Sequence, residues 1–451
     1  MLLTFIKYNP MIKISLTINL LVLSLTLVAQ SLVPITTHYD KEQQHINEQY
    51  SALNGNKNLI QGAYIKYDFN GNKEVVGQFE NGNKTGTFTS YYASGEVKQL
   101  LNFTQGKKNG IVKIFTEEGK LLQEGSFEND KLEGKLTLYY QGGKLKSTTE
   151  FLDGNPNGPI IEYFENGKIR KEQTYVDGKV NGISKTYYEN GALKTEENYK
   201  EGILHGFFKT YHSNGQLDTE ASNEIGKRTG TFSTYNNSGF KVIEGQFLNG
   251  KLNGENLAWY ENKQLKHKFK YANGFKVGKN VEYHDNGKVK IEGRFSNEEK
   301  DASVEEYYFN SQLKSKTYTS NGKKEGVQQY WHQNGQLKEE ATFENGLEVG
   351  VHKRYFENGQ MDTETPFIGN KPVGEEKKYY NTGKLKAITT YKSGKKHGPA
   401  KEFNIDGNLQ KEGLYGANKK VGEWKSFSST GDLILTETFE RGKLIGSKIT
   451  E

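Results

Sequence analysis

The sequence predicts an all-β protein, an elongated antiparallel β-meander of about sixteen 24-residue β-hairpin repeats. Three observations carry this. Glycine recurs every 24 residues from Gly62 to Gly446 at sixteen of seventeen positions, Ala302 being the exception. The position that begins at Tyr67 is aromatic sixteen times in sixteen, through Tyr91, Phe115, Trp259 and Trp331 to Phe427. Composition agrees: 33% hydrophobic and 12% aromatic residues with 51 glycines in 451 residues suit thin repeated β-structure better than several packed cores.

At the N-terminus, Lys13 precedes the apolar run Leu20–Ala29, followed by Gln30 and Ser31. That is the layout of a secretory signal peptide, and the run is shorter than the ~20 residues a membrane-spanning helix needs. Residues 1–29 are therefore expected to be a signal peptide, 30–58 a leader or N-terminal cap, and 59–451 the repeat array. The destination is the periplasm, the outer-membrane surface or the extracellular space. Because arrays of this kind contact only their neighbours, the edge beyond Gly446 is expected to be exposed or capped by a partner.

Each repeat holds two strand-length runs. Between them stands Asn-Gly, as at 70–71, 166–167, 190–191 and 214–215, a strong hairpin signal. A second glycine phase at this turn fails at Lys263 and Ser311. The runs are joined to the next repeat by a Gly-x-x-x-Gly link such as Gly178–Gly182, and Pro156, Pro159, Pro372 and Pro399 lie in or beside it, where no ladder donor is needed. A minor fourth phase adds Gly77, Gly125, Gly245, Gly293 and Gly413, and the glycine excess reads as turn punctuation. Helix periodicity is absent.

The turn can be argued from the side chains it brings together. A three-residue loop, Glu189-Asn190-Gly191, with a left-handed glycine pairs the always-aromatic Tyr187 with Leu193. Strict alternation then adds Tyr199 to that face and sends Lys194 and Glu196 to the other, predicting one aromatic face and one charged face. Residues 298–319, where Glu298, Ala302, Ser311 and Thr319 replace phase residues, form an eroded stretch, read as drift, a bend or a partner site.

The unit Tyr187-Tyr188-Glu189-Asn190-Gly191-Ala192-Leu193-Lys194, followed by Gly202 and Gly206, resembles the MORN repeat, in the bacterial variant known from YwqK-type antitoxins. The resemblance covers residues 59–451 and implies an elongated antiparallel meander acting as a protein-binding or lipid-binding scaffold, with no catalytic residue to carry over.

The chemistry of the residues agrees with a non-enzymatic role. The 61 basic against 55 acidic side chains give +6, and +4 once residues 1–29 with Lys7 and Lys13 are removed, so no nucleic-acid footprint is expected. There are no cysteines. His212, His284 and His332 share one phase but sit two or more repeats apart, too far to ligate one metal. Glu172, Glu196, Glu220 and Glu244 recur at ~10 Å and read as a solvated column facing Lys194 and its equivalents. Neither a cofactor nor a metal is expected. The candidate partner-binding residues are the extra aromatics Tyr92, Tyr140, Phe164, Tyr188, Tyr260, Tyr308, Phe356 and Tyr380, one residue past the invariant aromatic. The function expected is an exported scaffold for protein–protein binding, antitoxin-like or immunity-like in its narrower form. The alternative is binding to an envelope lipid or glycan.

Overall fold

The structure, a computed structural model, describes residues 31–450. The segment 1–29 expected to be a signal peptide lies outside the described residues. The described residues form two compact units that divide between Gly143 and Lys144. Among the described residues there are 41 strands and no helix. Within each unit the strands pair antiparallel in sequence order, so the fold is an open β-meander. Residues expected to form a leader or cap make a hairpin, Leu32–His38 with Ile46–Leu53, that pairs onto Ile60–Tyr67 and buries Tyr50, Ala52 and Leu53.

One repeat shows how the sequence builds the rest. The strand Gly182–Tyr187 turns through Tyr188–Ala192 into the strand Leu193–Lys200. The Gly191 N–H donates to the Tyr188 carbonyl and the Tyr188 N–H to the Ala192 carbonyl, both at 2.8 Å. Gly191 has φ +92°, so this is the three-residue loop with a left-handed glycine. Asn190 has two tasks. Its Oδ1 accepts the Ala192 N–H at 2.9 Å, and its Nδ2 donates to the Ser213 carbonyl of the next turn at 3.0 Å. Asn166, Asn214, Asn262 and Asn358 make the same reach, giving a ladder of side-chain amides along the turns.

Lys263 and Ser311 occupy the glycine position of this turn at φ +69° and +72°. A left-handed conformation costs an L-residue about 1–2 kcal/mol. Lys263→Gly is therefore expected to stabilise its repeat by about 1 kcal/mol, read as slower amide exchange in Leu265–Ala272. Unchanged exchange there would show that the strain is relieved elsewhere.

The register corrects the two-face expectation. Tyr187 does pair with Leu193, but Thr186 pairs with Thr195, which leaves Lys194 as an extra, bulged residue. The bulge reverses the alternation. Gly182, Ser184 and Thr186 share a face with Tyr199, Glu197 and Thr195, whereas Tyr187 and Leu193 lie opposite with Lys185 and Glu196. Tyr199 is thus not on the Tyr187 face, and Lys194 and Glu196 are not on one charged face. Each face carries its own aromatic column.

The first face holds the better-buried core. Tyr64, Phe79, Phe88 and Phe103 follow one another edge to face at 5.2–5.4 Å between centroids, a favoured aromatic geometry. Lys84 lies over Phe88 and Phe103, and in the second unit Lys420 lies 4.4 Å over Trp424 and 5.0 Å over Phe439. The minor glycine phase belongs here and is not turn punctuation. A Cβ on Gly77 would stand 2.5 Å from the Phe88 ring, and one on Gly413 would stand 2.3 Å from Trp424. These glycines admit the ring of the following strand.

The eroded stretch stays paired through a different link. In ordinary links the register breaks, as between Glu197–Phe208 and Tyr199–Leu204. Around Ala302 it runs unbroken, Phe295 opposite Ala302 and Arg294 opposite Ser303. Alanine does not favour the left-handed turn taken by Gly182 or Gly206, so the irregularity moves into the loop, where Asn297, Glu298 and Glu299 all have positive φ.

Candidate functional site

The second face offers the more continuous candidate surface. In every repeat from Tyr67 to Phe427 the invariant aromatic is half-buried, as are the paired aliphatics such as Leu121, Ile169, Leu193, Leu217 and Leu385. Cross-strand pairing sets them side by side, Tyr187 with Leu193 and Tyr211 with Leu217. Within each unit this makes an apolar stripe running across the strands next to the turns.

Carboxylates fix the rings. Tyr187 donates its hydroxyl to Glu172, Tyr235 to Glu220 at 2.6 Å, and Tyr379 to Glu364 at 2.8 Å. Burial, then the hydrogen bond to the carboxylate, pushes the hydroxyls of Tyr187 and Tyr379 up to about 12. They stay protonated donors throughout the physiological range. The glutamate column therefore has a task beyond solvation, and it does not face Lys194. Its ionic partners are on its own face: Lys185 to Glu196 at 3.7 Å, Lys377 to Glu364 at 3.4 Å and Lys113 to Glu124 at 3.2 Å. Beyond it the face carries exposed aliphatics, Ile183 at 47% among them. A shallow depression of about 250 Å³ lies between Pro159, Ile161, Glu172, Thr174, Ile183 and Lys185. It recurs at the equivalent Pro399, Lys401, Glu412, Leu414, Glu423 and Lys425.

The aromatics singled out in the sequence have a different setting. Tyr92, Tyr140, Phe164, Tyr188, Tyr260, Tyr308, Phe356 and Tyr380 are all half-buried. Five of their hydroxyls donate to a backbone carbonyl one repeat on: Tyr92 to Phe115, Tyr188 to Tyr211, Tyr260 to Tyr283, Tyr308 to Trp331 and Tyr380 to Phe403, at 2.7–2.9 Å. Lys98, Lys194, Lys266 and Lys386 cover four of the rings at 5.4–5.6 Å. These side chains tie each turn to the next. His212, His284 and His332 occupy the same phase, and their Nε2 atoms lie 2.9–3.2 Å from the equivalent carbonyls. These three histidines are members of this clasp. Their shared phase with Tyr188 was the signal available in the sequence.

Along the opposite, link side runs a row of exposed lysines, including Lys179, Lys227, Lys251, Lys371 and Lys419. The stem of each lies against the glycine of the following link, Lys371 at Gly394 and Lys419 at Gly442.

Fold and surface together define a β-hairpin repeat protein with a patterned open face. Nine segments match the MORN repeat variant: residues 84–105, 108–129, 132–153, 156–177, 180–201, 276–297, 324–345, 348–368 and 372–393. The chain is a MORN-repeat protein of this variant kind. Such repeats generally serve as scaffolds for protein or membrane binding. No curated protein matches it. Among solved structures, the crystal structure of TcdB2-TccC3 shares 13% identity over 91% of this chain and 26% of its own, with a TM-score of 0.15. The form without the hypervariable C-terminal region shares 12% over 90% and 24%, also at 0.15. A Photorhabdus luminescens Tc holotoxin pore shares 12% over 89% and 26%, again at 0.15. The chain thus spans about a quarter of their length, and at that TM-score the likeness carries no argument.

Proposed function

We propose that this chain is an exported, non-enzymatic scaffold that holds a protein partner on its second face, an immunity-like or antitoxin-like module being the narrower form. The observation that supports this most is the repeated stripe of half-open aromatic and aliphatic side chains, held rigid by their own carboxylates. Rings that are fixed beforehand lose little freedom on binding. The layout of residues 1–31 supports export.

The test uses the full chain carrying a photo-crosslinking residue at Ile183. The expected result is a mature N-terminus near Ser31 and one discrete crosslinked protein. A precursor that keeps its first 29 residues overturns export, and crosslinking to no protein overturns the partner. The row of link lysines supports the second reading, contact with an anionic envelope lipid or glycan. In that case the chain is retained on vesicles or glycan and the Ile183 crosslink is empty.

A further inference from the structure

We infer that the stripe between Tyr163 and Tyr235 takes a proline-rich, basic segment of its partner, laid across the strands as a polyproline II helix. This rests on the protein-scaffold reading and narrows it. The argument begins with lengths. Adjacent strands lie ~4.8 Å apart, so successive repeats present a ring every ~9.6 Å. A polyproline II helix has three residues per turn and rises 3.1 Å per residue, so the same side of it recurs every ~9.3 Å. From Tyr163 to Tyr235, three repeats, the two slip by only ~1 Å. An α-helix returns to the same face after seven residues, ~10.5 Å, and slips by ~3 Å over the same distance. An extended strand returns every ~6.7 Å and does not match at all.

Chemistry points the same way. Tyr163, Tyr187, Tyr211 and Tyr235 are half-buried, leaving part of each ring open, with Ile169, Leu193 and Leu217 between them. Aromatic-lined grooves are the usual receptors for this ligand conformation, and both sides enter the complex already ordered. The depression beside Ile161 and Ile183 adjoins the stripe on the same face. Along this stretch Glu172, Glu196, Glu220 and Glu244 outnumber Lys185, Lys209 and Lys241, the last of which lies over the Tyr235 ring. Two of those carboxylates already accept tyrosine hydroxyls and are held in place by them, so an arginine or lysine in the ligand finds a complementary surface.

The probe is a peptide of four Arg-Pro-Pro triplets, titrated calorimetrically against the full chain at physiological ionic strength. Four Arg-Gly-Gly triplets carry the same charge without the conformation. The proline peptide is expected to bind about tenfold more tightly. Tyr187→Leu with Tyr211→Leu, which keeps the apolar pairing, is expected to remove about tenfold of that affinity while the circular dichroism is unchanged. Glu172→Gln with Glu196→Gln supplies a second reading should the tyrosine variant fold poorly, and it too should weaken binding. Equal affinity for the two peptides, indifference to both double variants, or tighter binding of a helical peptide of equal arginine content would overturn the inference. A discrete protein crosslinked at Ile183 through a segment without proline would overturn it too, and would leave the scaffold reading standing.

Discussion

Trp424→Ala is expected to cost about 3–5 kcal/mol, the range for emptying a fully enclosed aromatic site. Trp424 is 1% exposed, bonds the Leu414 carbonyl through Nε1 at 3.1 Å and packs edge to face on Tyr415 at 5.0 Å. Gly413 lies beneath it with an ordinary backbone conformation, so an added methyl meets the ring and not the backbone. Gly413→Ala alone should cost about 1–3 kcal/mol as overpacking. In the Trp424→Ala background the same change should cost nothing or stabilise slightly, because the clash is gone and alanine suits a strand better than glycine. The double-mutant cycle thus reports a strong coupling. Amide exchange in Leu409–Gly416 and Lys419–Phe427 reads it directly, and strands several repeats away should not change. Additive effects would mean that the two residues are not in contact.

The second large effect belongs to a buried amide. Gln328 is 1% exposed and occupies the position that Phe88 and Trp424 hold in other repeats. Its Oε1 accepts the Tyr318 N–H at 3.1 Å, and its Nε2 donates to the carbonyls of Tyr318 and Glu325, both at 3.0 Å. Asn280 serves the link two repeats earlier in the same way, accepting from Lys270 and donating to Val277 and Gly278. Here the link interrupts the ladder, and the side chain pairs backbone groups left over by the break. Gln328→Leu keeps the volume and strands the Tyr318 N–H and the Glu325 carbonyl, while the Tyr318 carbonyl keeps the Glu325 N–H, so it should cost about 3 kcal/mol. Gln328→Ala, which leaves room for water, should cost less than that burial penalty implies. Exchange in Leu313–Ser320 is the measurement, and protection equal to the parent chain would show that the amide is dispensable.

The period, the turn and the pairing of Tyr187 with Leu193 were legible because each rests on a residue type that recurs in phase. The distribution of side chains between the faces was not. One bulged residue, Lys194, decides it, and a lysine in that position looks like any exposed strand residue. The clasp was half legible: Tyr188, His212 and His284 share a phase, but a hydroxyl that reaches a carbonyl one repeat away leaves no mark on composition. The small glycine phase could have been read correctly. Gly77, Gly125 and Gly413 each precede a large side chain, Phe88, Leu136 or Trp424, by the same eleven residues, which is packing and not turning.

The amide ladder along the turns also sets how this protein ages. An asparagine before glycine is the site at which a side-chain amide most readily cyclises onto the following backbone nitrogen and is hydrolysed to a carboxylate. While a repeat is closed, Asn190 is held at both ends, by the Ala192 N–H and the Ser213 carbonyl, and cannot swing into that reaction. Only a repeat that opens exposes its asparagine. The product then turns a carboxylate toward a carbonyl oxygen where a donor stood, so the opening is made permanent. Each Asn-Gly turn is in this sense a slow chemical recorder of how often its own repeat has come undone.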